Sequence, residues 1–178
     1  MLCLSTMLSA PMLLADVVLV ENGQPKGRIV CDTSAVNRQG AELLKKFVKR
    51  ISGAELPIVK SGNAVRKNDV VIGLGDTSSL TEDGFRLKED NGKLFISSGG
   101  DKGALYGVVS LLEDNLGVNY YGDNEYSFQP SKTIVLTGID RYENPAFRYR
   151  QSQSYALSDP DYRAFMRFEE PADEFAGG

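Results

Sequence analysis

The segment GFRLKED, then Asn91-Gly92, then KLFISSG constrains the fold most. Both arms alternate apolar and polar residues, the period of a strand with one buried face. Asn-Gly supplies the positive-φ residues of the tight turn whose twist matches an antiparallel pair. An isolated hairpin is marginal in water, so the rest of the chain must cover its apolar face.

Two segments have the spacing to do so. Leu43, Leu44, Phe47, Val48 and Ile51 repeat at helical spacing, with Glu42, Lys45, Lys46, Lys49 and Arg50 around the remainder. Thr33 or Ser34 caps this helix at its start and Gly53 ends it. In the second, Leu105, Val108, Val109, Leu112 and Leu116 line one face, Asp101 is the natural N-cap, and Gly117 closes it. Strand-like runs surround the helices. DVVLVENG and GRIVCD read as two short strands joined by a Gly/Pro turn, and ELPIVK is a strand near a sheet edge because Pro57 cannot donate to a ladder. DVVIGLG is a continuous apolar run, as in a strand covered on both faces. VNYYG and KTIVLTG complete the set. The order β-β-α-β-β-β-β-α-β-β predicts an α+β fold, a mixed sheet with two helices covering one face.

Composition narrows the chemistry. The 178 residues fit one domain with a tail, and they contain two cysteines and no histidine. Without imidazole, the usual serine and cysteine hydrolase sites and most zinc sites are not built. No cofactor and no metal site is expected. A net charge of −4 offers no bulk attraction to nucleic acid. Residues 1–15, MLCLSTMLSAPMLLA, are uncharged and rich in Leu and Met. Two readings compete: the apolar core of a secretory signal peptide ending near Ala15, or a first element of the fold. The run is too short to span a membrane, and strand-like sequence starts only at Asp16, which favours the signal. After cleavage only Cys31 remains, a buried strand residue.

Each candidate site has a plain competitor. Gly73-Leu74-Gly75, with Ser78 at a third glycine's place, imitates a dinucleotide fingerprint but leads to a hairpin, so a strand-to-loop turn is the better reading. Gly99-Gly100-Asp101-Lys102-Gly103 precedes a helix and could hold an anion, but lacks the Walker spacing. The acidic pairs Asp123/Glu125, Asp159/Asp161 and Glu169/Glu170 are too closely spaced to flank a sugar ring and read as solvated loop charges. Arg148 and Arg150 alternate with Phe147 and Tyr149, so a strand there would carry a cationic face, suited to sugar hydroxyls or to a salt bridge. Half of the chain's tyrosines and phenylalanines fall in residues 142–178, a stretch with little other periodicity. Aromatics this dense need a surface to cover.

ELLKKFVKRISGAELPIV, DVVIGLG, GDKGALYGVVSLLEDNLGVNYYG and ENPAFRYR, in this order, resemble the N-terminal domain shared by bacterial alpha-glucuronidases, beta-N-acetylhexosaminidases and a related uncharacterised bacterial group. The resemblance covers roughly residues 16–155. With the signal peptide read over 1–15, it implies an α+β accessory domain over 16–140, and over 141–178 a linker with the start of a (β/α)8 barrel. Pro145, Phe147 and Arg150 resemble the entry into the first barrel strand, where an arginine grips sugar hydroxyls. The implied substrate-binding residue is therefore Arg150, and no catalytic residue lies in this chain, because the family's carboxylates sit in the barrel. Gln151-Ser152-Gln153 replace the Gly and Asp of the hexosaminidase pattern, which turns the likeness toward the alpha-glucuronidase or the uncharacterised branch. The expectation is a non-catalytic domain of an exported bacterial glycoside hydrolase, periplasmic or secreted. It would meet carbohydrate through an adjoining barrel and have no nucleic-acid partner and no membrane span. The alternative is a stand-alone carbohydrate-binding or structural module.

Overall fold

The computed structural model describes residues 16–100, 102–146, 150 and 158–168. Residues 1–15, with the expected signal, lie outside them, as do Asp101, Arg148, Glu169 and Glu170.

The chain opens with β1 (Val17–Glu21), β2 (Gln24–Pro25) and β3 (Ile29–Cys31). Helix α1 (Ala35–Ser52) comes next; Gly53 ends it at φ 81, the left-handed conformation that glycine adopts without strain. Ser34 holds the N-cap position but its side chain does not cap. Asp32 orders this corner instead, accepting from Ser34 N at 2.9 Å and Asn37 Nδ2 at 3.0 Å. Then come β4 (Ile58–Lys60), β5 (Val70–Ile72), β6 (Phe85–Asp90) and β7 (Lys93–Ser98). The β6–β7 turn has Asn91 at φ 49 and Gly92 at φ 70, as the dipeptide requires. Helix α2 (Gly103–Ser110) runs directly into a π-helical turn, Leu111–Asn115. The end of the chain holds β8 (Asn119–Gly122), β9 (Glu125–Ser127), β10 (Ile134–Leu136), β11 (Asp140–Glu143) and helix α3 (Pro160–Met166).

The main sheet has the order β11-β6-β7-β5-β3-β4. β7, β5, β3 and β4 run parallel, whereas β6 and β11 are antiparallel, so the sheet is mixed as expected. β5 sits inside it and buries all of its residues, and β4, next to Pro57, lies at the edge. Phe85, Leu87, Leu94 and Ile96 turn one face toward α1 and α2 and join their core cluster with Leu44, Phe47 and Val108. Gly107 lets α2 come close, since a Cβ there would press on Ile96 and Phe85. Cys31 is buried within this layer, and burial pushes its thiol pKa up.

The final strands depart from expectation. β10 leaves the main sheet to pair with β1, forming a separate sheet with β2, and β8 pairs with β9 as a hairpin. A side-chain contact explains part of this: Glu89 on β6 holds the turn after β10, its Oε2 accepting from Gly138 N at 2.8 Å. That turn releases the chain from β10 into β11, which completes the edge beside β6.

Candidate functional site

The side of the helical layer away from the sheet carries an aromatic cluster, Phe47, Tyr120, Tyr126 and Phe165, with charged groups around it. Its floor is α1. Phe47 points into a cluster with Tyr126, whose ring centroid is 4.9 Å away in a T-shaped arrangement. Tyr120 from β8 lies 4.9 Å from Tyr126. The β8–β9 hairpin thus presents two phenols over α1. Arg50 sits over the rings of Phe47, Tyr126 and Phe128 at 5.4, 4.9 and 5.2 Å.

Helix α3 covers this floor. Phe165, 5% exposed, stacks on Tyr120 at 5.2 Å and meets Phe47 edge-on at 5.7 Å. Asp159 is the N-cap, accepting from Asp161 N at 2.9 Å, and Pro160 starts the helix with its φ already set. The same carboxylates reach down to the phenols: Tyr120 OH donates to Asp159 at 3.4 Å and Tyr126 OH to Asp161 at 2.7 Å. Lys46 pairs with Asp161 as well. Asp159 and Asp161 are therefore a cap and a docking pair, not solvated loop charges. Burial, then the Asp159 carboxylate, push the Tyr120 hydroxyl pKa up to about 12. Burial and the hydrogen bond to Asp161 push that of Tyr126 up further.

Two arginines fasten the flanks. Arg167, at φ 54 just past α3, lies 3.4 Å from Glu143 on β11 and 3.6 Å from Glu113 in the π-turn. Arg150 lies over the buried ring of Tyr106 at 5.1 Å, with Nη2 3.7 Å from Asp83. Its Nε and Nη2 are buried and have no hydrogen-bond acceptor among the described residues. Of the pair read from sequence, Arg150 is thus placed against the α+β unit, and Arg148 lies outside the described residues.

The glycine segments are explained by packing. A Cβ on Gly99 or Gly103 would strike the backbone of Thr81 or Gly84, and one on Gly73 would strike Asn37. These glycines let loops approach one another. Asp123 and Glu125 are exposed around the β8–β9 turn. Among the described residues no group of three or more His, Cys, Asp or Glu side chains is placed to hold a metal ion, and no helix is long and apolar enough to cross a membrane.

Sequence reasoning missed α3. Its signal was present: Asp-Pro-Asp is an N-cap followed by proline at the first helical position, and Tyr162 and Phe165 are three residues apart.

The model of the family described as glycosyl hydrolase family 20, domain 2, matches residues 22–113, just over half of the chain. Among solved structures, the GH20 beta-N-acetylhexosaminidase from Streptomyces coelicolor A3(2) aligns with a TM-score of 0.51 and 19% identity, over 76% of this chain and 25% of its own. A mutant Streptomyces plicatus beta-hexosaminidase in complex with its product GlcNAc aligns with a TM-score of 0.52 and 16% identity, over 76% and 24%. A family GH115 4-O-methyl-alpha-glucuronidase aligns with a TM-score of 0.49 and 15% identity, over 74% of this chain and 19% of its own. At such identities the structures establish the α+β fold, and this chain spans about a quarter of the length of the hexosaminidases. No curated protein matches it by sequence.

Proposed function

The chain belongs to the glycosyl hydrolase family 20 domain 2 family, and from that premise we propose that it is the non-catalytic N-terminal scaffold of an exported glycoside hydrolase. It is a glycoside-hydrolase-associated domain; the scaffold role, the export and the adjoining barrel are our reading. The observation that carries the scaffold role is the docked segment after the sheet. Through Arg150, α3 and Arg167, the chain after β11 is fastened at three places to the α+β unit. A catalytic domain continuing from there would inherit a fixed orientation. The uncharged run at residues 1–15 supports export to the periplasm or beyond. Gln151-Ser152-Gln153 supports an alpha-glucuronidase-like substrate branch in glycan breakdown.

One observation favours a second role for Arg150, that of a sugar ligand: its Nε and Nη2 donate no hydrogen bond to a described residue, the Asp83 carboxylate lying 3.7 Å from Nη2 as an ion pair only. In the longer enzyme, Arg150→Lys separates the roles, because it keeps the charge but loses the planar fork. A tie to the unit predicts a lower melting temperature with normal turnover per folded molecule. A ligand predicts turnover lowered by about 2–4 kcal/mol of transition-state stabilisation, with an unchanged melting temperature.

The scaffold role is tested by replacing Phe165 with Asp in the longer enzyme. Calorimetry should then resolve the unit's transition from that of the catalytic part. A single cooperative transition, unchanged from the parent, contradicts the proposed joint.

A further inference from the structure

We infer that the helix-free face of the main sheet, at β11, β6 and β7, is a binding site for an uncharged glycan chain, with Tyr142 as its stacking platform and Arg86, Asp140 and Asp76 as its hydrogen-bonding groups. The ligand class rests on the glycoside-hydrolase reading above; the site itself rests on the geometry.

Ladder partners share a face of a sheet. Tyr142 is opposite Arg86, and Arg86 is opposite Ser97; Asp140 is opposite Lys88, and Lys88 is opposite Phe95. These rows alternate with Phe85, Leu87, Leu94 and Ile96, which face the helices. Tyr142 and Arg86 therefore lie on the side of the sheet opposite α1, α2 and α3. They stay free when the helical side is committed to a domain continuing from α3.

Tyr142 is 59% exposed. A single exposed aromatic is ordinary; its neighbours make this one different. Arg86 donates from Nε and Nη2 to Asp140 Oδ1 at 3.3 and 3.0 Å, and its Nη1 lies 3.8 Å from Asp76 Oδ2. Asp76 is itself held, accepting from Ser78 N at 3.0 Å and Ser78 Oγ at 2.8 Å. The polar groups beside the ring are thus ordered before any ligand arrives, which removes part of the entropy cost of binding.

A wall stands on the same face. Ser97 Oγ donates to the Leu74 carbonyl at 3.3 Å, and Gly75, at φ 133, lies against Ser97 and Phe95 where a side chain would not fit. The loop from Gly73 to Asp76 is drawn over the sheet and ends with the Asp76 carboxylate at Arg86. Charge selects the ligand class: Arg86 and Lys88 are balanced by Asp140 and Asp76, so the patch favours no ion. A pyranose offers what remains, an apolar C–H face for the phenol ring and adjacent hydroxyls for a guanidinium–carboxylate pair.

The test uses the whole chain with two probes, an N-acetylglucosamine hexamer and a neutral soluble glucan, in affinity electrophoresis and calorimetry. At least one probe should bind. Tyr142→Ala should weaken it by about tenfold, a loss of stacking worth roughly 1.4 kcal/mol, while Tyr142→Phe retains it. Tyr121→Ala, at an exposed tyrosine on β8, should bind as the parent does. Circular dichroism confirms that each variant is folded. Parent protein that binds neither probe, or Tyr142→Ala that binds as well as the parent, overturns the site. Neither result touches the scaffold reading, which is judged by turnover and by the joint.

Discussion

Replacing Phe165 by alanine isolates the energetics of the joint. Phe165 is 5% exposed and packs on Phe47, Tyr120 and Tyr126. Removing a buried phenylalanine ring costs about 3–5 kcal/mol, the lost transfer energy plus the cavity left behind. Helix α3 spans only Pro160–Met166, far shorter than a helix that is stable alone in water. Its order therefore comes from docking, and the ring supplies most of the apolar burial that holds it. The loss exceeds what so short a segment can retain, so α3 should release locally while α1 and the main sheet stay folded. Hydrogen exchange read by mass spectrometry checks this. Peptides covering 160–168 should lose nearly all protection in Phe165→Ala, whereas peptides within α1 keep theirs. Met166→Ala, at a 40% exposed neighbour, should change little. Persisting protection over 160–168 in Phe165→Ala, or loss of protection throughout the molecule, would refute the reasoning.

Alkaline titration monitored at 295 nm reads the same contact: with Tyr120 raised to about 12 by burial and Asp159, docking is fully stabilised below the ordinary phenol range and weakens as pH rises through about 12. In Phe165→Ala, Tyr120 should titrate near the unperturbed value of about 10, and an unchanged curve counts against docking. Arg28→Ala should destabilise the fold by about 3–5 kcal/mol in urea, because it strands a buried carboxylate: Asp69, 1% exposed, accepts from Arg28 Nη2 at 2.6 Å and Nε at 3.0 Å. A loss below about 1 kcal/mol would mean that this pair behaves as a surface salt bridge. Gly99→Ala should lower the yield of folded protein, since the added methyl meets the Thr81 carbonyl and backbone cannot step aside cheaply; normal yield and melting would show that these loops have room to separate.

Much of the layer architecture was legible because periodicity reports burial. The Asn91-Gly92 hairpin, the apolar stripe of α1, the all-buried β5 and the edge placement next to Pro57 arise from side-chain alternation and backbone chemistry that act locally. The partners of the last strands were not legible. KTIVLTG reads the same whether it pairs with β6 or with β1; part of what separates them is the Glu89 carboxylate catching Gly138, a contact between positions far apart in the chain. β11 was missed because DRYE has no apolar alternation and is exposed along most of its length. The candidate site was legible as chemistry and illegible as geometry. Aromatic density in the tail signalled a surface to be covered, but only the fold shows that Tyr120 and Tyr126 provide it. Asp159 and Asp161 read as loop charges because their partners, two phenols and Lys46, lie in other elements.

The central claim, a scaffold without a catalytic site of its own, is tested most directly by turnover. The purified chain is incubated with aryl glucuronides, aryl N-acetylglucosaminides and oligosaccharides of each type. Most glycoside hydrolases use two carboxyl groups flanking the scissile bond, about 5–10 Å apart. The described acids on the helical side are instead spent on caps, phenols and arginines. Release of product should be no faster than in buffer. Turnover that survives repurification and is abolished by a substitution between residues 16 and 140 would contradict it.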